Sequence, residues 1–103
     1  MVDAHRIQSF KALQLKIAAA NLRDDAEFQA LLSGAQELLE LSDQELADSL
    51  RVSRPTVNRW MRGKNLPHNA LRNPIFTWVN QQATERLKRL ELYAQRKVAG
   101  SAA

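Results

Sequence analysis

Only three residues, Arg51-Val52-Ser53, separate two segments that each read as a short helix. Upstream, Ser42 followed by Glu45 forms a Ser-x-x-Glu capping box, and Leu46, Ala47 and Leu50 give a helix over 43–50 one apolar face. Downstream, Ser53 stands as an N-cap, and Pro55 falls in the first turn, where its missing N–H forfeits no helical hydrogen bond. The second helix, over 53–62, is expected to stop at Gly63, a residue suited to the left-handed conformation that ends a helix. So short a connection forces the two rods to cross steeply, the geometry of a helix-turn-helix over residues 42–63.

The rest of the chain has to supply helices for that pair to rest on. Ile7, Phe10, Leu13 and Ile17 recur three or four residues apart, one apolar stripe on a first helix for which Asp3 is the expected N-cap. Asp24 and Glu27 resemble another capping box, followed by Phe28, Leu31, Leu32, Ala35, Leu38 and Leu39 at helical spacing. This predicts one helix over about 25–40 with Gly34 on its polar face; a break at Ser33-Gly34, giving two shorter helices, is the alternative. After the central pair, Pro67 is expected to start a short helical turn through about Asn73, and Pro74 to open a long final helix over 74–98. Phe76, Val79, Ala83, Leu87, Leu90 and Ala94 make a narrow seam along that helix, open either to intramolecular packing or to a dimer contact. Residues 99–103 are expected to fray.

With 103 residues and few helix breakers (three glycines, three prolines), the expectation is a single all-α domain over 1–103. It comprises about five helices, with flanking N-terminal helices over 3–40, a central helix-turn-helix and a long C-terminal helix. The chain has no cysteine, which excludes disulfides, thiolate metal sites and thiol catalysis. His5 and His68 are isolated from other ligand-type residues, so no metal or cofactor is expected. No signal peptide is legible, since His5, Arg6, Lys11 and Lys16 interrupt the first helix, and no apolar run approaches the roughly 20 residues that span a bilayer. A cytoplasmic protein without membrane association is expected. The charge is segregated: residues 1–48 carry four Lys/Arg against nine Asp/Glu, whereas residues 49–84 carry six Lys/Arg and no acid. A basic middle of this kind hints at nucleic acid.

Residues 41–63, LSDQELADSLRVSRPTVNRWMRG, resemble the helix-turn-helix of phage-repressor/Cro-like (XRE-type) DNA-binding proteins. Leu41-Ser42 precedes the first helix, Leu46 and Ala47 are the buried leucine and the small residue where two helices touch, and Leu50, Val52 and Ser53 form the turn. Val57 and Trp60 are the inward residues of the second helix, and Arg62-Gly63 and Pro67 close the pattern. Leu46, Ala47, Leu50, Val57 and Trp60 are thus the expected motif core. Three positions depart from the family: Arg51 stands where Gly is usual, Asp43 where Gln commonly touches a phosphate, and Met61 where Glu is frequent. Arg51 predicts either a tighter turn or a strained residue. An acid at 43 repels a phosphate, so that contact is not carried over.

With Val57, Trp60 and Met61 turned inward, the second helix presents Arg54, Pro55, Thr56, Asn58, Arg59 and Arg62. A helix of this width fits the roughly 12 Å major groove, where Arg chelates guanine O6 and N7 and Asn pairs with adenine. Arg54, Asn58 and Arg59 are therefore the expected base readers, and Ser53, Thr56, Arg62 and Lys64 the contacts to the DNA backbone. The bland reading is that these are solvated charges; for one arginine it is as good as the functional one, but not for the whole set on a helix-turn-helix. Trp60 and Trp78 are expected in the core rather than as stacking platforms.

The expected function is sequence-specific binding of double-stranded DNA by a transcriptional regulator, as a homodimer joined through the C-terminal helix or, second, the acidic N-terminal helices. The alternative is an antitoxin-like module whose acidic N-terminal half binds a protein partner and whose helix-turn-helix autoregulates. No separate effector domain is visible, and nothing in the chain pairs a nucleophile with a base or cradles a phosphate, so no enzymatic activity is expected.

Overall fold

The computed structural model describes the backbone of residues 2–102 and the side chains of residues 4–96. Five helices follow one another: α1 (Val2–Ala19), α2 (Asp25–Leu38), α3 (Asp43–Leu50), α4 (Arg54–Met61) and α5 (Asn69–Ala102), with no strand among the described residues. The fold is all-α with a long C-terminal helix, and no helix is long and apolar enough to cross a membrane.

Each helix lends residues to one core. Phe10 comes from α1, Phe28 and Leu32 from α2, Leu46 from α3, Val57 from α4, and Phe76 and Val79 from α5, all of them fully buried. Burying one such side chain contributes about 1.5–3 kcal/mol. The Phe28 and Phe76 rings meet edge to face at 5.6 Å between centroids, which ties α2 to α5. Gln14 donates to Thr84 at 2.8 Å while the loop after α1 meets the start of α5, so α1 and α5 lie antiparallel. The seam of α5 is consequently filled from within: Phe76, Val79, Ala83 and Leu87 are buried, and Leu90 packs against the same core. Of the two roles open to the seam, the fold uses the intramolecular one.

The helix starts follow the capping pattern closely. Asp24 accepts from the Glu27 N–H, Ser42 and Glu45 complete a reciprocal capping box, and Ser53 accepts from the Thr56 N–H. Asp3 is different: α1 already begins at Val2, so Asp3 lies inside its first turn, and its side chain falls outside the described ones. α2 runs unbroken through Gly34, which removes the two-helix alternative; Leu32 and Ala35 hold the helix to the core on either side of it.

The largest correction concerns α5. The separate turn over 67–73 and the helix opening at Pro74 are one helix from Asn69 to Ala102, with Pro74 inside it. The residues 99–102, expected to fray, continue its helical backbone, and Ala103 lies outside the described residues. An interior proline removes one hydrogen bond and costs about 3 kcal/mol, so something must hold the helix through it. Ile75 and Phe76, both buried, follow the proline directly. Just before it, Arg72 is the one buried charged residue among the described ones. Its Nε donates to the Pro67 carbonyl at 2.9 Å, its Nη1 to the carbonyls of Leu22 and Arg23 at 2.9 and 3.3 Å, and its Nη2 to Asp25 at 2.8 Å. The guanidinium carbon also sits 4.9 Å from the Phe28 ring centroid. His68 is exposed and caps the helix, its Nδ1 accepting from the Ala70 N–H.

Candidate nucleic-acid interface

The inner face of α4 is fixed on three sides. Val57 is fully buried and Trp60 nearly so, against Leu46 and Ala47 of α3, each 1% exposed. Leu50 is half-buried at the edge of the same core, as are Met61 and Trp78. At the other end of α4, Gln29 of α2 donates to the Met61 carbonyl at 2.7 Å, satisfying a group that the helix end leaves orphaned. Gly63 takes φ +73°, its N–H bonds Trp60, and the Lys64 N–H bonds Arg59, a Schellman closure. α4 is therefore clamped at its N-cap, along its buried face and at its last turn, which leaves its outer face rigidly presented.

The turn between α3 and α4 is closed by Arg51 in the left-handed region, φ 59° and ψ 42°, with the Val52 N–H bonded to the Ala47 carbonyl. Of the two outcomes expected for Arg51, strain is the one realised, because the closure needs a positive φ whatever residue stands there. The same device recurs at the end of α2, where Glu40 has φ 55° and the Leu41 N–H reaches back to the Gln36 carbonyl.

The outer face carries Arg54, Asn58, Arg59 and Arg62, all exposed, flanked by Arg51 before the helix and Lys64 after it, also exposed. None of the five cations forms an ion pair among the described residues; the one pair there joins Arg72 to Asp25, on another side of the core. Unpaired like charges on one surface repel one another, and an anion from outside would relieve that repulsion.

Two groups of polar side chains are less free than the sequence suggests. The Ser53 and Thr56 hydroxyls lie 2.6 Å apart and share one hydrogen, while Ser53 Oγ also caps the Thr56 N–H. The pair has one hydroxyl hydrogen left to give, not two. Asn58 donates through Nδ2 to Asp43 at 3.3 Å, and Asp43 accepts at its other oxygen from Gln36 Nε2 at 2.6 Å. Asp43 thus stands between α2 and α4, in a shallow cleft also lined by Ser42, Gln44, Arg54 and Pro55.

Sequence reasoning left out an attractive contact for Asp43 and any role for Gln36, Gln29 or Arg72. Gln36 precedes Asp43 by seven residues on a different helix, and Arg72 follows Asp25 by 47, so no local spacing signals either partnership. Among the described residues no group of three His, Asp or Glu side chains lies close enough to hold a metal ion. Comparison of the chain with protein-family models, with curated proteins and with solved structures found no match.

Proposed function

We propose that this chain is a sequence-specific double-stranded DNA-binding protein, a transcriptional regulator of the Cro/C1 (XRE) kind that reads the major groove with helix 53–62. The observation that carries the reading is the outer face of α4 with its flanks: Arg54, Arg59 and Arg62, with Arg51 before the helix and Lys64 after it, exposed and without a carboxylate ion-pair partner among the described residues, on a helix clamped at both ends. Arg54, Asn58 and Arg59 read base edges. Arg62, Lys64 and the one spare hydroxyl hydrogen of the Ser53–Thr56 pair hold phosphates. The resemblance of residues 41–63 to that family supports the same assignment. The reading gives the chain a cytoplasmic place and no enzymatic step or cofactor.

One reading helix covers few base pairs, so the protein acts as a homodimer on half-sites about 34 Å apart. Since the buried seam of α5 is spent inside the chain, a dimer contact through α5 falls on its other face, where Leu92 is 54% exposed. Leu92→Asp then yields monomers in light scattering without loss of helicity; an unchanged dimer moves the interface to the acidic N-terminal helices.

The test is a gel-shift or anisotropy titration on random-sequence and selected duplexes across salt. With at least two phosphate contacts per subunit, log K falls against log salt with a slope of about −0.9 per phosphate neutralised. A flat response removes the DNA reading. A second reading, an antitoxin-like module, draws on the exposed Asp24, Glu27, Glu37, Glu40, Glu45 and Asp48 of the N-terminal half. Co-purification of one small basic protein, released by salt, favours it.

A further inference from the structure

We propose that Asp43 is a positioning residue that sets the hydrogen-bonding polarity of Asn58 and so commits α4 to adenine, against guanine, at the base pair Asn58 reaches; this rests on the reading of α4 as the DNA-reading helix. Asp43 looks out of place on such a surface, since an acid at the start of α3 repels the phosphates that Arg62 and Lys64 attract. The geometry gives it a use that offsets this.

A carboxylate offers acceptors and no hydrogen. Asn58 can therefore face Asp43 only through its NH2 group, as the 3.3 Å contact from Nδ2 to Oδ2 has it. Turning the amide over would set Oδ1 against Oδ2, two acceptors in contact. The carboxylate cannot swing away to relieve this, because Gln36 Nε2 holds its other oxygen at 2.6 Å from α2. Gln36 and Asp43 are half-buried while Asn58 is exposed, so the fixed part of the chain lies inside and the oriented amide lies outside.

Asn58 then presents one carbonyl oxygen and one remaining N–H. That pair matches the major-groove edge of adenine, which offers the N6 amino donor beside the N7 acceptor. Guanine offers two acceptors, O6 and N7, and an asparagine meets both only with both of its amide hydrogens. Asp43 has taken one of them. The negative charge beside the site works the same way, disfavouring the acceptor-rich guanine edge. An acid at position 43 is thus paired with an asparagine at 58 as one unit of specificity, at some cost in affinity for every sequence.

The experiment compares wild type, Asn58→Ala and Asp43→Asn on duplexes selected in vitro from a random pool, with each position of the selected site then varied. Wild type should prefer adenine over guanine at one position by roughly 10- to 100-fold, the range of a good bidentate pair. Asn58→Ala should abolish that preference. Asp43→Asn, near-isosteric and able to donate to Asn58 Oδ1, should bind all duplexes somewhat more tightly while its adenine-to-guanine ratio collapses to a few-fold. A merely structural role would move affinities together and leave the ratio alone. A ratio unchanged in Asp43→Asn overturns the inference and leaves DNA binding standing; wild type binding no duplex overturns DNA binding itself, and a site with no Asn58-dependent position overturns the inference alone. Should Asp43→Asn lose its helical circular dichroism, Gln36→Ala releases the same carboxylate and should lower the ratio. In the DNA-free wild type, the Asn58 side-chain amide resonances should shift when Gln36 is replaced, and fixed resonances count against the coupling.

Discussion

Replacing Arg72 by methionine keeps most of an apolar stem in place and removes the planar donor set that ties three segments together. Nε serves the Pro67 carbonyl, Nη1 the carbonyls of Leu22 and Arg23, and Nη2 the Asp25 carboxylate. Hydrogen bonds from a charged donor contribute about 1.5–3 kcal/mol each, and an acceptor left buried without one costs about 1–3 kcal/mol. Pro67 is buried, so its carbonyl sits at the upper end, whereas Leu22 and Arg23 lie in a turn where water can replace Nη1. The contact with Phe28 contributes about 1–2 kcal/mol as a cation–π pair, part of which a methionine sulfur restores. The ion pair adds little, since the Asp25 side chain is 73% exposed and water competes for it; such pairs give about 0–1 kcal/mol. With the relief of no longer desolvating a charge, the net loss is about 3 kcal/mol for Arg72→Met and under about 0.5 kcal/mol for Asp25→Asn. Urea unfolding followed at 222 nm reads both. At an m-value of about 1–3 kcal/mol/M the midpoint of Arg72→Met drops by about 1–3 M. If Asp25→Asn costs as much as Arg72→Met, the surface ion pair holds the junction and the backbone carbonyls do not. If both cost under about 1 kcal/mol, Pro74 is carried by Ile75 and Phe76 alone.

Gly34→Ala should stabilise the protein by up to about 1 kcal/mol, because the glycine lies mid-helix and an added Cβ meets nothing within 4 Å; a lower melting temperature would refute this. Arg51→Gly should raise stability by about 0.5–1 kcal/mol, as relief of the left-handed strain outweighs the freer unfolded chain, and it should also lower DNA affinity at low salt; a destabilised variant would mean that the arginine stem packs usefully. Arg54→Ala or Arg59→Ala should lose about 1–3 kcal/mol on the selected site and relax one base position, whereas Arg62→Ala should weaken all duplexes alike and make the salt slope shallower by about 1. Equal losses on every sequence from Arg59→Ala would move it to the phosphate set.

Local chemistry decided the helix starts after Asp24, Ser42 and Ser53 and the stop at Gly63. Ser42 with Glu45, Ser53 with Pro55, and Gly63 are caps whose partners lie within four residues, and each fell where the spacing put it. The apolar positions were legible for the same reason: a helix of period 3.6 turns Leu46, Ala47, Val57 and Trp60 to one side whatever it packs against. At Gly34 the periodicity predicts one helix against the glycine's poor propensity, and the burial of Leu32 and Ala35 on either side keeps it one.

What tertiary structure decided lies at longer range. Pro74 reads as a helix start, and by local rules it should be one; a buried guanidinium 47 residues from its carboxylate partner and the Phe28–Phe76 contact outweigh that preference and run the helix back to Asn69. The seam of α5 suits a partner helix from this chain or another, and only the arrival of α1 antiparallel to it chose the first. The outer face of α4 follows the same division. Which residues point outward is fixed by periodicity, so Arg54, Asn58, Arg59 and Arg62 were visible from spacing alone. Which hydrogen atoms they have left to offer depends on neighbours in space: Thr56 on Ser53, and Asp43 held by Gln36 beside Asn58. Sequence periodicity sets the direction of a side chain, and the contacts of the folded chain set its remaining hydrogen-bonding capacity.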